Sequence, residues 1–185
     1  MADGAIPIRR VVTGNDEQGR SRVLYDSAAP NVQALGLPGR FMTDVWVFHD
    51  CPAEISGDRD DGNQPFHFEP PARGGHLRIT QAPAIPPDYD PAKDPAAKPF
   101  HPPTRTPGGT LERGGSNSHR IRMHKTETVD YAICLEGGRV LYLDDGERVL
   151  MPGEVVVQLG SWHAWGSVRV PGRMAYVMIS ASFEE

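Results

Sequence analysis

Apolar and polar residues alternate along this chain in short bursts, and turn residues close each one. Four bursts of strand length occupy the N-terminal half, at 6–13, 21–25, 41–49 and 76–80, mostly rich in Val, Ile, Phe or Trp. Runs of that length and composition predict strands. Gly14-Asn15, Pro38-Gly39, Gly57 to Gly62 and Pro70-Pro71 punctuate them. After Gly115 the bursts crowd together, at 119–124, 130–135, 139–144, 148–151, 154–159, 163–167 and 173–181. The turns there are of hairpin type: Gly137-Gly138, Asp145-Gly146, Pro152-Gly153 and Pro171-Gly172. None of these later segments carries a 3.6-residue apolar period long enough for a helix. Many short antiparallel strands at this spacing imply a closed or two-sheet β architecture.

Composition sharpens this picture. A chain of 185 residues has the size of one domain with one core. Its 20 glycines and 18 prolines leave little uninterrupted chain for long helices, which excludes an all-α bundle. Nine of the prolines fall within 81–109 among Asp, Lys, Ala and Thr, a composition with too little apolar surface to order a core. The expected organisation is therefore 1–80 as strands and loops packing on a barrel, 81–114 as a proline-rich linker or surface loop, and 115–185 as the barrel domain.

Charge and cysteine content narrow the partners. Nineteen Lys and Arg against 24 Asp and Glu give a formal net charge of −5, and no long run of one sign is present, so nucleic acid is a poor partner. Cys51 and Cys134 are too few for a disulfide framework or a four-cysteine zinc site, and they fit a reducing compartment. The N-terminus lacks a basic region followed by a long apolar one, and no segment approaches the ~18 apolar residues of a membrane span. The expectation is a cytoplasmic protein with no membrane partner.

The chemistry-bearing residues cluster between Met123 and Trp165. His124, Thr126 and Asp130 precede Gly137, and Gly153, Gln158, Gly160, His163 and Ser167 follow. In order and spacing this segment resembles the two motifs of the cupin family over roughly 115–181. Asp130 stands where the first motif has Glu, Gly137 closes its six-residue gap, His124 takes the first histidine position and Thr126 the second. Gly153, Gly160 and His163 meet the second motif with one residue fewer between the glycines, Gln158 in the proline position and Ser167 in the asparagine position. The resemblance implies an all-β cupin jelly-roll barrel, here with extra N-terminal strands.

It also implies a divalent metal inside the barrel. His124, His163 and Asp130 are the implied ligands, while Thr126 replaces a strong ligand by a weak one and Asp reaches one methylene less than Glu. Two imidazoles and a carboxylate with open positions suit Fe, Mn or Ni, and less specifically Zn. The alternative is a metal-free His/Asp site in which the carboxylate fixes an imidazole tautomer for proton abstraction. The resemblance further implies a homodimer, made by packed sheets or exchanged N-terminal strands.

Strand alternation supplies a pocket lining, because side chains two apart share a face. If His124 points inward, so do Arg122 and Arg120, and an inward Arg122 would clamp a carboxylate or enolate. A register change at the strand end would return both to solvent instead. From Asp130 the same parity puts Ala132 and Cys134 inside, with Cys134 read as a small buried thiol, and Tyr131, Ile133 and Leu135 outside. Trp165 shares the face of His163, and Tyr142, Met174, Tyr176 and Met178 follow from neighbouring strands as pocket or core. The function expected is a metal-dependent enzyme on a small organic acid or carbonyl compound, of decarboxylase, isomerase or lyase type. An Fe-dependent dioxygenase and a non-catalytic small-ligand binder are the alternatives.

Overall fold

The computed structural model describes residues 4–55, 57 and 59–184. The all-β expectation holds: among the described residues there are fourteen strands and a single 3₁₀ turn, Pro91–Lys93. No helix among them is long and apolar enough to cross a membrane.

The principal sheet has six strands. Its C-terminal members are β9 (Thr128–Glu136), β12 (Val155–Leu159) and β14 (Gly172–Ser180), and its N-terminal members are β3 (Asn31–Ala34), β4 (Phe41–Phe48) and β5 (Gly75–Ala82), in the order β12-β9-β14-β5-β4-β3. Strands from both halves thus share one hydrogen-bonded sheet, joined where β14 pairs with β5 from Gly172↔Ala82 to Ile179↔Gly75. A second sheet runs β11 (Gly146–Leu150), β10 (Arg139–Leu143), β13 (Ala164–Gly166). The hairpin β1 (Arg9–Asn15) with β2 (Ser21–Ala28) stands apart as a two-stranded sheet.

The core lies between the two larger sheets. Ala132, Cys134, Met174, Tyr176 and Met178 from the six-stranded sheet meet Leu141, Leu150 and Trp165 from the other. Alternation on β9 is clean, with Thr128, Asp130, Ala132 and Cys134 buried, and Tyr131 and Leu135 exposed. The reversal from β9 to β10 needs Gly137: its φ is +70°, and a Cβ there would lie 1.9 Å from the Pro171 carbonyl oxygen.

Three segments depart from the sequence expectation, the first being β3, a strand where none was expected. The proline-rich stretch contributes β6 (Thr104–Arg105) and β7 (Leu111–Arg113), which form a small sheet with β8 (Met123–Lys125). The burst at 119–124 is a strand only at its end, in β8; before that, the chain makes isolated bridges, Asn117↔Arg120 and Arg120↔Gly166. The backbone groups of 117–121 bond partly within the segment, Asn117 N–H to the Arg120 carbonyl and the His119 and Arg120 amides to Asn117 Oδ1, and partly to Asp94, Trp165 and Ser167, so the period-2 rule that needs a continuous strand does not extend across them.

A buried ion pair ties the long loop before β5 to the sheet. Arg78 on β5 and Asp44 on β4 face each other in register, Nε to Oδ1 at 2.6 Å and Nη2 to Oδ2 at 3.1 Å, with both side chains almost wholly buried. The guanidinium also donates to the carbonyls of Phe68 (2.9 Å) and His67 (2.5 Å) and lies over the Phe66 ring at 4.5 Å. That arrangement places Phe68 against His124, ring centroids 6.0 Å apart.

Candidate functional site

Asp130 sits mid-sheet because β9 is flanked on both sides. Gln158 of β12 and Met178 of β14 are its direct cross-strand neighbours. It is 5% exposed, and its Oδ1 has no hydrogen-bond partner. Burial pushes its carboxyl up to about 6, and Thr128 opposes this only in part. A carboxyl at that value is half protonated at about pH 6 and keeps a protonated fraction of about one-tenth at pH 7, within the range in which acid–base catalysts work.

The two histidines come from paired backbone segments. His124 and His163 exchange both backbone hydrogen bonds, at 2.7 and 2.9 Å, so their side chains stand side by side, ring centroids 4.3 Å apart. The Nδ1 of His124 lies 3.1 Å from the Arg122 carbonyl and that of His163 lies 2.9 Å from the Ser161 carbonyl. A carbonyl only accepts, so each Nδ1 carries the proton and each Nε2 keeps its lone pair. Burial depresses both imidazoles, His163 to about 3 with the neighbouring His124 adding to the effect. Both rings are therefore neutral acceptors at neutral pH.

These three residues line one cavity, with about 60 Å³ accessible to the centre of a water-sized molecule. Phe68, Phe41, Trp165, Tyr176 and Met178 supply much of its apolar wall. Trp165 meets the His163 ring edge-on at 6.0 Å and Tyr176 at 5.5 Å. Burial raises the Tyr176 phenol to about 12, so it remains a neutral hydroxyl.

Other expected pocket residues lie elsewhere. Arg120 stacks on the Tyr142 ring at 4.2 Å and lines a separate recess with Lys98 and Asp144. Neither Arg122 nor Tyr142 lines the cavity. Arg122 and Arg120 leave it because the chain before β8 is not a continuous strand, and Tyr142 because register pairs Leu141, not Tyr142, with Trp165. Thr126 is buried with its hydroxyl 2.6 Å from that of Thr128, beside a different recess. Cys134 packs in the core, where burial raises its thiol.

Arg40, Arg78 and Arg139 line the cavity in place of the expected arginines. Sequence reasoning missed all three. Arg139 was within reach, since it alternates with Leu141 on β10, whereas Arg40 occupies the turn before β4, where no periodicity speaks.

No family model matches the chain. It is 36% identical over 180 residues to a cupin-domain-containing oxidoreductase of Hypocrea virens, covering 92% of this chain and 74% of the relative. The chain belongs to the cupin family. A cupin-domain-containing oxidoreductase of Aspergillus ruber is 24% identical over 185 residues, covering 97% of this cupin and 75% of the relative. Among solved structures, this cupin is similar to a putative ethanolamine utilization protein Q of Salmonella typhimurium over 96% of its own length and 100% of the other, at 10% identity and a TM-score of 0.45.

The metal that the cupin resemblance implies can be tested against the donors present. The imidazoles are held as metal-ligating histidines are, with Nδ1 anchored on a carbonyl and Nε2 free. Yet among the described residues no three His, Cys, Asp or Glu side chains gather into a group that could hold a metal. Asp130 does not close on the two imidazoles, and Thr126 is engaged with Thr128. The donor set present is two imidazoles, and it does not fit the three-ligand site.

Proposed function

We propose that this cupin is an enzyme that shifts a proton on a small hydroxy or oxo compound, with Asp130 as the acid–base group. The observation that carries the reading is the meeting, in one largely apolar cavity, of a carboxyl raised to about 6 with two neutral imidazoles. The paired Nε2 atoms accept hydrogen bonds from a substrate hydroxyl or enol, which favours the enol over the oxo form. Asp130 takes the proton from one carbon and returns it at a neighbouring one, so that a C–H bond is broken and another formed with the substrate's composition unchanged, which serves isomerisation. Phe68, Trp165 and Tyr176 hold the organic body of the substrate and keep water from the reacting carbon.

Deuterium exchange at carbon tests this. A panel of small aromatic and aliphatic hydroxy and oxo acids, incubated with the protein in D₂O and followed by NMR, is expected to include compounds whose C–H exchanges. The rate should depend on a group titrating near pH 6, and His163→Ala should lower it by roughly 10²-fold or more. Absence of exchange across the panel, or an unaltered rate in His163→Ala, overturns the proposal.

The relatives named oxidoreductases favour a second reading, a redox reaction in the same cavity. Oxygen uptake with the same panel under air, set against argon, separates the two. A melting temperature that falls with chelator in the wild type, and no longer does so in His163→Ala, would establish a metal on the imidazoles.

A further inference from the structure

Two arginines in the cavity wall lack counter-ions. Arg40 is 3% exposed and Arg139 is 5% exposed. Arg40 Nε donates to the Ser118 carbonyl at 3.1 Å, but its Nη2 has no partner, and neither do Nε and Nη1 of Arg139. Among the described residues, neither guanidinium lies in an ion pair, whereas Arg78 in the same wall is paired with Asp44 and two carbonyls. Burial together with the like charge of Arg139 brings Arg40 down to about 10. Two buried like charges without a carboxylate are unfavourable in general, and their N–H groups form an unfilled anion receptor.

The internal carboxylate does not fill it. Asp130 lines the same cavity, yet its Oδ1 has no hydrogen-bond partner, and among the described residues no hydrogen bond or ion pair joins it to Arg40 or Arg139. The counter-ion must therefore arrive from outside the chain. Apart from Asp130, His124, His163, Thr80 and Gln81, the rest of the wall is apolar and aromatic, so that anion belongs on a small body with an apolar face.

We propose that Arg40 and Arg139 bind the carboxylate of a small carboxylic acid whose apolar body, aromatic or alicyclic, packs on Trp165 and Tyr176. This names the substrate class of the proton-transfer site and rests on that reading for its place in catalysis, while the binding site itself stands on the two guanidiniums. The carboxylate takes the position that Arg122 would have served from sequence alone.

Benzoate is the probe, with its neutral isostere benzamide and inorganic phosphate as comparisons, measured by calorimetry on the full chain. Benzoate is expected to bind at least tenfold more tightly than either. Arg139→Met should lower benzoate affinity at least tenfold and leave benzamide unchanged, and the ligand-free variant should melt no lower than wild type, as expected when a buried unpaired charge is removed. Arg139→Lys, which keeps the charge and loses the planar fork, should weaken benzoate several-fold and serves if the methionine variant fails to fold. Arg122→Ala should leave benzoate binding unchanged.

Equal affinity for benzoate and benzamide in the wild type overturns the proposal. So does a phosphate affinity matching that of benzoate, since it would mark a general oxyanion site without use for the apolar wall. Because the readout is binding, the two proposals fail separately. Loss of carbon exchange with benzoate discrimination intact sinks only the proton-transfer reading, and exchange without discrimination sinks only the arginine site.

Discussion

Asp44→Ala is expected to destabilise the protein by about 3–5 kcal/mol, a large part of the stability of a domain this size. The partner left behind is Arg78, 1% exposed. Its remaining bonds, to the carbonyls of His67 and Phe68, satisfy N–H groups but do not neutralise the charge. Those carbonyls belong to the loop that seats Phe68 beside His124, so the loss should also loosen one wall of the cavity. Urea denaturation measures the first effect. The double variant Asp44→Leu with Arg78→Met should recover part of it, because an apolar pair of similar volume needs no desolvated ions. A single-variant loss below about 1 kcal/mol would mean that solvent reaches the pair.

Asp130→Asn is expected to act in opposite directions on stability and activity. The carboxyl has a folded-state value near 6 against about 3.8 for an ordinary solvated aspartate. Folding thus favours its neutral form, and that contribution is fully present below about pH 4 and lost as pH rises through about 6. At pH 8 the ionised buried carboxylate costs about 3 kcal/mol. Asparagine removes this cost, so the variant should melt several degrees higher at pH 8 and no higher at pH 4, while proton exchange at substrate carbon falls by roughly 10²-fold or more.

The histidines give the opposite slope. His76 and His163, both pushed down to about 3 by burial, must remain neutral in the fold, so the stability they confer falls as pH drops from about 6.5 towards 3. Wild-type protein should therefore lose stability on acidification despite the opposing contribution of Asp130, and Asp130→Asn should steepen that loss. Thermal melts of both proteins at pH 4, 6 and 8 check the signs together. A variant less stable than wild type at pH 8 would show that the carboxylate has a partner in solution.

Much of this was legible in local sequence. The turn pairs from Gly137-Gly138 to Pro171-Gly172 bound strands β9 to β14 nearly where the structure has them, because glycine, proline and Asp-Gly act on the backbone at their own positions. Parity from Asp130 placed Ala132 and Cys134 inside and Tyr131 and Leu135 outside, because β9 is one continuous strand and pleating leaves no other choice. Spacing also singled out His124, Asp130 and His163, which line one cavity.

What the chain could not announce is what depends on register between distant segments. Parity carried from His124 back to Arg122 and Arg120 failed because bridging by separate partners replaces a strand there, and Tyr142 yielded to Leu141 because pairing with Trp165 chooses the face. The same dependence hid the cavity's arginines. Arg40 in a turn of the N-terminal half and Arg139 at the head of β10 are brought together only when β4 and β5 join the sheet that holds β14 and β9. Sequence by itself determined the β architecture and singled out the imidazoles and the carboxyl that line one cavity, since propensity, turns and alternation act over a few residues. Tertiary structure alone decided which charges are paired and which are left open, since Arg78 meets Asp44 across 34 residues of chain while Arg40 and Arg139 meet no carboxylate among the described residues. Pairing of a buried charge is a property of the space around it, and that space exists only once the sheets have closed.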